Sequence, residues 1–238
     1  MSLTMSLKSS AGLTEVQHRA SPNFDSRPTD TPVDMLVLHY TGMENGEAAL
    51  DRLCDAKAKV SAHYVIDEDG AITQLVEENM RAWHAGEAWW RTNSDINARS
   101  IGIELVNPGH EFGLSPFPEN QMQALEKLAL NIISRYQIPA RNVVGHSDVA
   151  PRRKTDPGEL FDWFRLFKAG VGVWPEDALS LEMNQQEGTD LLAKFGYETV
   201  DFTKTVEAFQ RHFRPTSITG SLDGETAGLL DRLIAVVG

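Results

Sequence analysis

The chain has 238 residues, 41% of them hydrophobic, which suits one large domain or a medium domain with a small companion. Its 34 acidic residues against 22 basic ones give a formal charge of −12, which argues against nucleic-acid binding, since recognition of a phosphate backbone needs a basic surface. No apolar stretch approaches the roughly 18 residues that span a membrane, and the single cysteine excludes an internal disulfide framework.

Residues 1–30 are polar and rich in Ser, Thr and Pro, and read as an N-terminal extension. They hold no apolar segment followed by a small-residue cleavage site, so the expected location is cytoplasmic, or periplasmic or envelope-associated if the natural start was replaced. Residues 35–39 are an apolar run ending in His39, the pattern of a buried strand. A helix is expected over 48–58; it carries Cys54. Strands at 62–66 and 71–76 flank Asp67-Glu68-Asp69-Gly70, whose Asp-Gly pair signals a hairpin. His63 opens the first of these strands.

Trp83-His84-Ala85-Gly86 joins aromatic to small residues, a composition suited to a sugar face or a peptide backbone; the competing reading of Trp83 is core filling. Trp89 and Trp90 are adjacent and must point apart. In the strand expected at 101–106, Ile101, Ile103 and Leu105 share one face and Gly102, Glu104 and Val106 the other. A carboxylate inside such a strand must be paired, hydrogen-bonded or working; an ion pair with an Arg is the structural alternative for Glu104. A helix spans 119–136, with Met122, Leu125, Leu128, Ala129, Ile132 and Ile133 as its apolar stripe. The strand at 142–145 ends, like 35–39, in a histidine, His146. The loop after it supplies Lys154 and Asp156. Two strands that each end in His can bring both imidazoles to one rim of a sheet, where ligands gather in open α/β folds. His and Asp are suitable zinc ligands, and three protein ligands with one open position mark a hydrolytic zinc rather than a structural one.

Five segments occur together and in order: Leu38-His39-Tyr40-Thr41, Val60 to Ile66, Arg81 to Gly86, Ser100 to Leu105, and Val144 to Asp148 with Arg153 to Gly158. In this the chain resembles the zinc-dependent N-acetylmuramoyl-L-alanine amidases of the amidase-2 family, in its AmpD/AmiD-like branch, over roughly residues 35–168. The resemblance implies one zinc ion per chain, held by His39, His146 and Asp156. It implies Glu104 as the carboxylate that moves the proton and Lys154 as the cation facing the oxyanion. The substrate would be peptidoglycan or a muropeptide, cut between N-acetylmuramic acid, or its 1,6-anhydro form, and L-alanine. His63, Trp83 and His84 are candidates for substrate contact or for orienting a ligand. The high negative charge leaves recognition to short-range contacts in the groove and to arginines such as Arg81 or Arg152. The fold expected is a mixed β-sheet flanked by helices over 31–175. Rival readings are a zinc peptidase cutting within the stem peptide, a non-catalytic peptidoglycan-recognition module, and a cysteine hydrolase using Cys54. The complete ligand set and the Gly-Ile-Glu strand favour the amidase. Cys54 lacks a helix N-terminus to activate it.

A Gly/Pro-bearing connector at 169–175 leads to a distinct apolar rhythm. One helix at 189–195 stops at Gly196, a second places Phe202, Val206, Phe209 and Phe213 at helical spacing, and a third follows the turn at 220–226. Residues 208–213 with 220–226 resemble the type-1 peptidoglycan-binding domain, a small three-helix bundle, expected at 180–238. His18, His110 and His212 receive no role. The sequence leaves open the oligomeric state, and whether intact wall or a soluble fragment is cut.

Overall fold

The computed structural model describes residues 16–238; the first half of the expected N-terminal extension lies outside the described residues. Two short strands come first, β1 (Gln17–His18) and β2 (Phe24–Ser26). Strand β3 (Met35–Tyr40) leads to helix α1 (Gly46–Cys54), then β4 (Tyr64–Ile66), β5 (Ile72–Gln74) and β6 (Met80–Ala82). The short helix α2 (Ile96–Arg99) runs directly into β7 (Ser100–Leu105). Next come α3 (Gly109–Phe112), α4 (Glu119–Tyr136), β8 (Val143–Gly145), the one-turn α5 (His146–Val149) and α6 (Trp163–Lys168). Helices α7 (Gln185–Phe195), α8 (Phe202–Phe213) and α9 (Gly224–Val237) complete the chain.

Six strands form one mixed sheet in the order β1-β5-β4-β7-β3-β8, and β2 pairs with β6 in a separate ribbon. Strands β4, β7, β3 and β8 are parallel, and β5 returns antiparallel to β4 as the Asp-Gly turn requires. The mixed sheet flanked by helices is the architecture expected from the sequence. Residues 16–30, read from sequence as an extension, contribute β1 and β2. Arg27 anchors this segment by donating to the carbonyls of Glu78, Asn97, Ala98 and Ser100.

One sheet face carries Leu36, Leu38, Ile101, Ile103 and Leu105, packed under the apolar stripe of α4 and against Trp163 and Leu166 of α6. Each such side chain contributes about 1.5–3 kcal/mol by leaving water. The opposite face is divided. Val65 and Val106 pack with Leu53 of α1 at one end. Met35, Val37 and Val144 pack at the other with Leu192, Phe195, Phe209, Phe213 and Leu230 of the last three helices. These helices therefore share a core with the sheet. Between the two apolar patches lie the polar side chains of the same face.

Most expected elements stand where the patterning puts them, with three corrections. Helix α7 begins at Gln185 rather than at residue 189, because the Asn184 side chain accepts the Glu187 N–H at 3.0 Å. Helix α1 begins at Gly46, because the Asn45 side chain accepts the Ala48 N–H at 2.9 Å, and it ends at Cys54 rather than residue 58. Asp55 is extended and its carboxylate accepts the Lys57 N–H, turning the chain out of the helix. The strand expected from residue 62 is assigned only from Tyr64, although the backbone of His63 already bonds to Gly102 and Leu75.

Candidate active site

The parallel register decides which side chains meet. His39 lies directly beside Glu104 across β3 and β7, and Leu38 lies beside Gly145, so His146 leaves β8 next to His39. Alternation then turns His39 and Glu104 toward the same face. The loop beyond α5 brings Asp156 back to this rim, and the Ser147 N–H fastens it by donating to the Asp156 carbonyl at 2.9 Å. His39 Nδ1, His146 Nδ1 and Asp156 Oδ2 form a triangle with 3.0 Å edges, buried on all three residues.

A hydrogen-bond ledger shows what that triangle can hold. A carbonyl only accepts, so His146 Nε2, 2.9 Å from the Ala85 oxygen, carries the ring proton and leaves Nδ1 as a lone pair. Ser100 donates its hydroxyl proton to the Ile96 carbonyl at 2.7 Å, so its oxygen accepts from His84 Nε2 at 3.1 Å. His84 Nδ1 is then the acceptor for His39 Nε2–H at 3.1 Å, which leaves His39 Nδ1 bare. Two imidazole lone pairs and a carboxylate oxygen converge with no proton assigned between them. Such a cluster is electrostatically unfavourable by itself and could hold a cation. Edges of 3.0 Å are a few tenths of an ångström shorter than the donor separations around tetrahedral zinc with bonds of about 2.0–2.2 Å, and the N,N,O donor set suits that metal.

Glu104 is partly exposed, but its Oε2 is shut off from solvent and has no hydrogen-bond partner among the described residues. Burial, and secondarily the Asp156 carboxylate, push its pKa well above the usual carboxylate range, while Lys154 opposes the shift. Among the described residues, Glu104 does not form the Arg ion pair considered from sequence. A cleft of about 630 Å³ lies in front of the triangle, lined by Glu104, Lys154, Trp83 and His84 among others. Trp83 is half-buried in the cleft wall rather than in the core, and its backbone N–H donates to Ser61 Oγ at 2.9 Å.

His84 both lines the cleft and supports His39. Its ring crosses β7 so closely that a Cβ at Gly102 would stand 2.5 Å from His84 Cγ, which accounts for glycine in Ser-Ile-Gly-Ile-Glu. His63 lines no part of the cleft. It is fully buried, its Nδ1 accepts the Gly102 N–H at 3.0 Å, and its ring stands 5.8 Å from that of His84. Arg81 is paired with Asp25 and Asp95, and Arg152 with Glu198; both line a neighbouring cavity. Arg52 and Arg153 line the cleft itself, and sequence reasoning gave neither a role there. Cys54 is outside the cleft, its thiol directed at the Arg19 carbonyl.

Two outcomes follow. Ser100→Ala removes the acceptor that fixes the His84 tautomer, and should weaken metal binding about tenfold in a protein with unchanged circular dichroism, measured by chelator competition. Burial, reinforced by Arg27, depresses the His63 pKa to about 3. Unfolding restores it to about 6.5, so the unfolded chain takes up the proton first. Stability of the metal-free protein should fall as pH drops from about 6.5 toward 3. His63 would contribute a slope of about 1.4 kcal/mol per pH unit, which denaturant titrations of the parent and His63→Gln should separate.

Comparisons with known proteins place the chain in a family. Residues 29–159 match the Amidase_2 family model, described as N-acetylmuramoyl-L-alanine amidase. The N-acetylmuramoyl-L-alanine amidase AmiD of Escherichia coli is 38% identical over 234 residues, covering 87% of this chain and 84% of that protein. The 1,6-anhydro-N-acetylmuramyl-L-alanine amidase AmpD of Haemophilus influenzae is 35% identical over 66% of this chain and 93% of its own length. A crystal structure of AmpDh3 from Pseudomonas aeruginosa, in complex with anhydromuramic pentapeptide, superposes with a TM-score of 0.78 at 33% identity, covering 98% of this chain and 99% of that one. The chain belongs to the Amidase_2 family of N-acetylmuramoyl-L-alanine amidases.

Proposed function

We propose that this amidase is zinc-dependent and cleaves the amide between N-acetylmuramic acid, or its 1,6-anhydro form, and the L-alanine of the stem peptide, in cell-wall turnover or recycling. The observation that carries the metal assignment is the proton-free triangle of His39, His146 and Asp156 beside a carboxylate with an unpartnered oxygen. The substrate assignment draws on the relatives. A structure of AmiD from Escherichia coli in complex with the substrate anhydro-N-acetylmuramic acid-L-Ala-D-γ-Glu-L-Lys matches with a TM-score of 0.80 at 36% identity over 87% of this chain.

Zinc, when bound, would polarise the amide carbonyl and lower the pKa of a coordinated water. Glu104 takes the proton of the attacking water at its carboxylate and delivers it to the departing alanine nitrogen. Burial raises its pKa above the ordinary carboxylate range, the direction that strengthens it as a proton acceptor. Lys154, on the cleft wall, brings positive charge to the oxygen on which negative charge develops, an effect often worth about 3–4 kcal/mol. Trp83 offers an aromatic wall to the sugar or the peptide.

Mass spectrometry of products from intact sacculi and from purified anhydro-muropeptide tests the reading. Release of whole stem peptide is expected from at least one; cleavage only inside the peptide would contradict it. Glu104→Gln should retain zinc and lose about 10²–10⁴-fold in kcat. Near-normal turnover in that variant would remove Glu104 from the mechanism. We further propose, on the sequence resemblance, that residues 180–238 bind cell wall. The zinc-free full chain should then cosediment with sacculi, and its remaining in the supernatant would end that reading.

A further inference from the structure

Asp148 lies two residues after His146 on α5, is fully buried, and has no part in the chemistry above. Its Oδ2 accepts the Gly145 N–H at 2.7 Å and His212 Nδ1–H at 2.7 Å. Its Oδ1 accepts the Tyr197 hydroxyl at 2.6 Å. Two of its three donors thus come from the C-terminal part of the chain, Tyr197 just beyond α7 and His212 from α8. A carboxylate this deep is tolerated only while it is hydrogen-bonded.

The donors are themselves held rigidly. The His212 ring stacks on Trp163 with centroids 3.7 Å apart and planes 17° apart, and on Phe213 at 4.0 Å. Tyr197 packs edge-on against Trp90, whose indole N–H donates to Asn142 just before β8. The segment they grip carries two of the three candidate ligands. His146 is the first residue of α5, and Asp156 is tied to it through the Ser147 N–H. Pro157 and Trp163 press against Gly145, where an added Cβ would meet them at 2.7 and 3.2 Å. Packing alone would be met by apolar side chains at positions 148, 197 and 212. A buried carboxylate with two long-range donors instead fixes where α5 sits and how it is turned.

We propose that the C-terminal helices act as a strut for the metal-bearing loop. Tyr197 and His212 are positioning residues that clamp Asp148, and so hold His146 and Asp156 in ligand geometry before any metal arrives. The consequence for metal affinity rests on the zinc reading of the site; the consequence for loop order does not. Helices whose work was confined to wall binding would have no need of a buried contact with α5.

The test uses the full chain with Tyr197→Phe, His212→Phe, both together, and His212→Asn, whose amide can donate from near the position of Nδ1. Two quantities are read well below the unfolding temperature. One is zinc affinity by competition with a chromophoric chelator. The other is amide hydrogen exchange across residues 145–156 in metal-free protein. The double variant should bind zinc about tenfold or more weakly. It should exchange faster at 145–156 with β7 unchanged, and His212→Asn should recover most of both properties. If the double variant does not fold, Tyr197→Phe, which deletes only a hydroxyl, carries the same expectations at smaller size. Variants with a lower Tm but parental zinc affinity and parental exchange in the loop would overturn the strut. A parent protein that binds no zinc would overturn the metal reading instead, and the exchange comparison would still decide the strut.

Discussion

The arrangement of the whole active face depends on where three protons are placed. His146 spends its ring proton on the Ala85 carbonyl, His84 on Ser100, and His39 on His84. Each donation leaves the opposite nitrogen bare, and two of those bare nitrogens meet the Asp156 carboxylate at 3.0 Å. The chain of donors ends on backbone carbonyls, which cannot return a proton. The candidate ligand set is therefore written into the backbone of α2 and of the Ala85 turn as firmly as into the three side chains themselves. Metal ligands that are His almost always have their second nitrogen so engaged.

The sheet supplies the positions that this proton order requires. Parallel pairing of β7, β3 and β8 sets the carboxyl ends of three strands side by side, so Glu104, His39 and His146 arrive from separate parts of the sequence on one rim. The same face becomes apolar on either side, under α1 and under α7 to α9. The polar strip is thus flanked by packed side chains that restrict its movement and lower the local dielectric, which strengthens each electrostatic term within it. Gly102 is the point where strand and site compete for space, and the absence of a side chain there lets the His84 ring lie against β7.

Much of this was legible in the sequence. Apolar runs ending in His39 and His146 pointed to both strands and to two histidines that the fold brings together, and the alternation around Glu104 gave its face correctly. Helix α4 was bounded by its stripe and by Pro139. Strands β2 and β6 were not foreseen, because three residues are too few to display alternation. Helix α1 was overrun because Ala56 and Ala58 are good helix formers, while the turn made by Asp55 is a local backbone event that composition does not announce. Ser100, Tyr197 and His212 could not be found from spacing at all. Their partners lie 16, 49 and 64 residues away, and only the fold brings them together. The helical periodicity of 202–213 was correct, but the same pattern does not say what the apolar face covers. Here it covers Met35, Val37 and Val144 of the sheet as well as its sister helices.

The central claim is that His39, His146 and Asp156 hold one catalytic zinc ion. Anomalous X-ray scattering on either side of the zinc absorption edge, from crystals of protein purified without added chelator and supplied with one equivalent of zinc, tests it directly. The account predicts a single peak at bonding distance from His39 Nδ1, His146 Nδ1 and Asp156 Oδ2, with Glu104 outside the coordination sphere. No peak there, or a peak on other side chains, would contradict it.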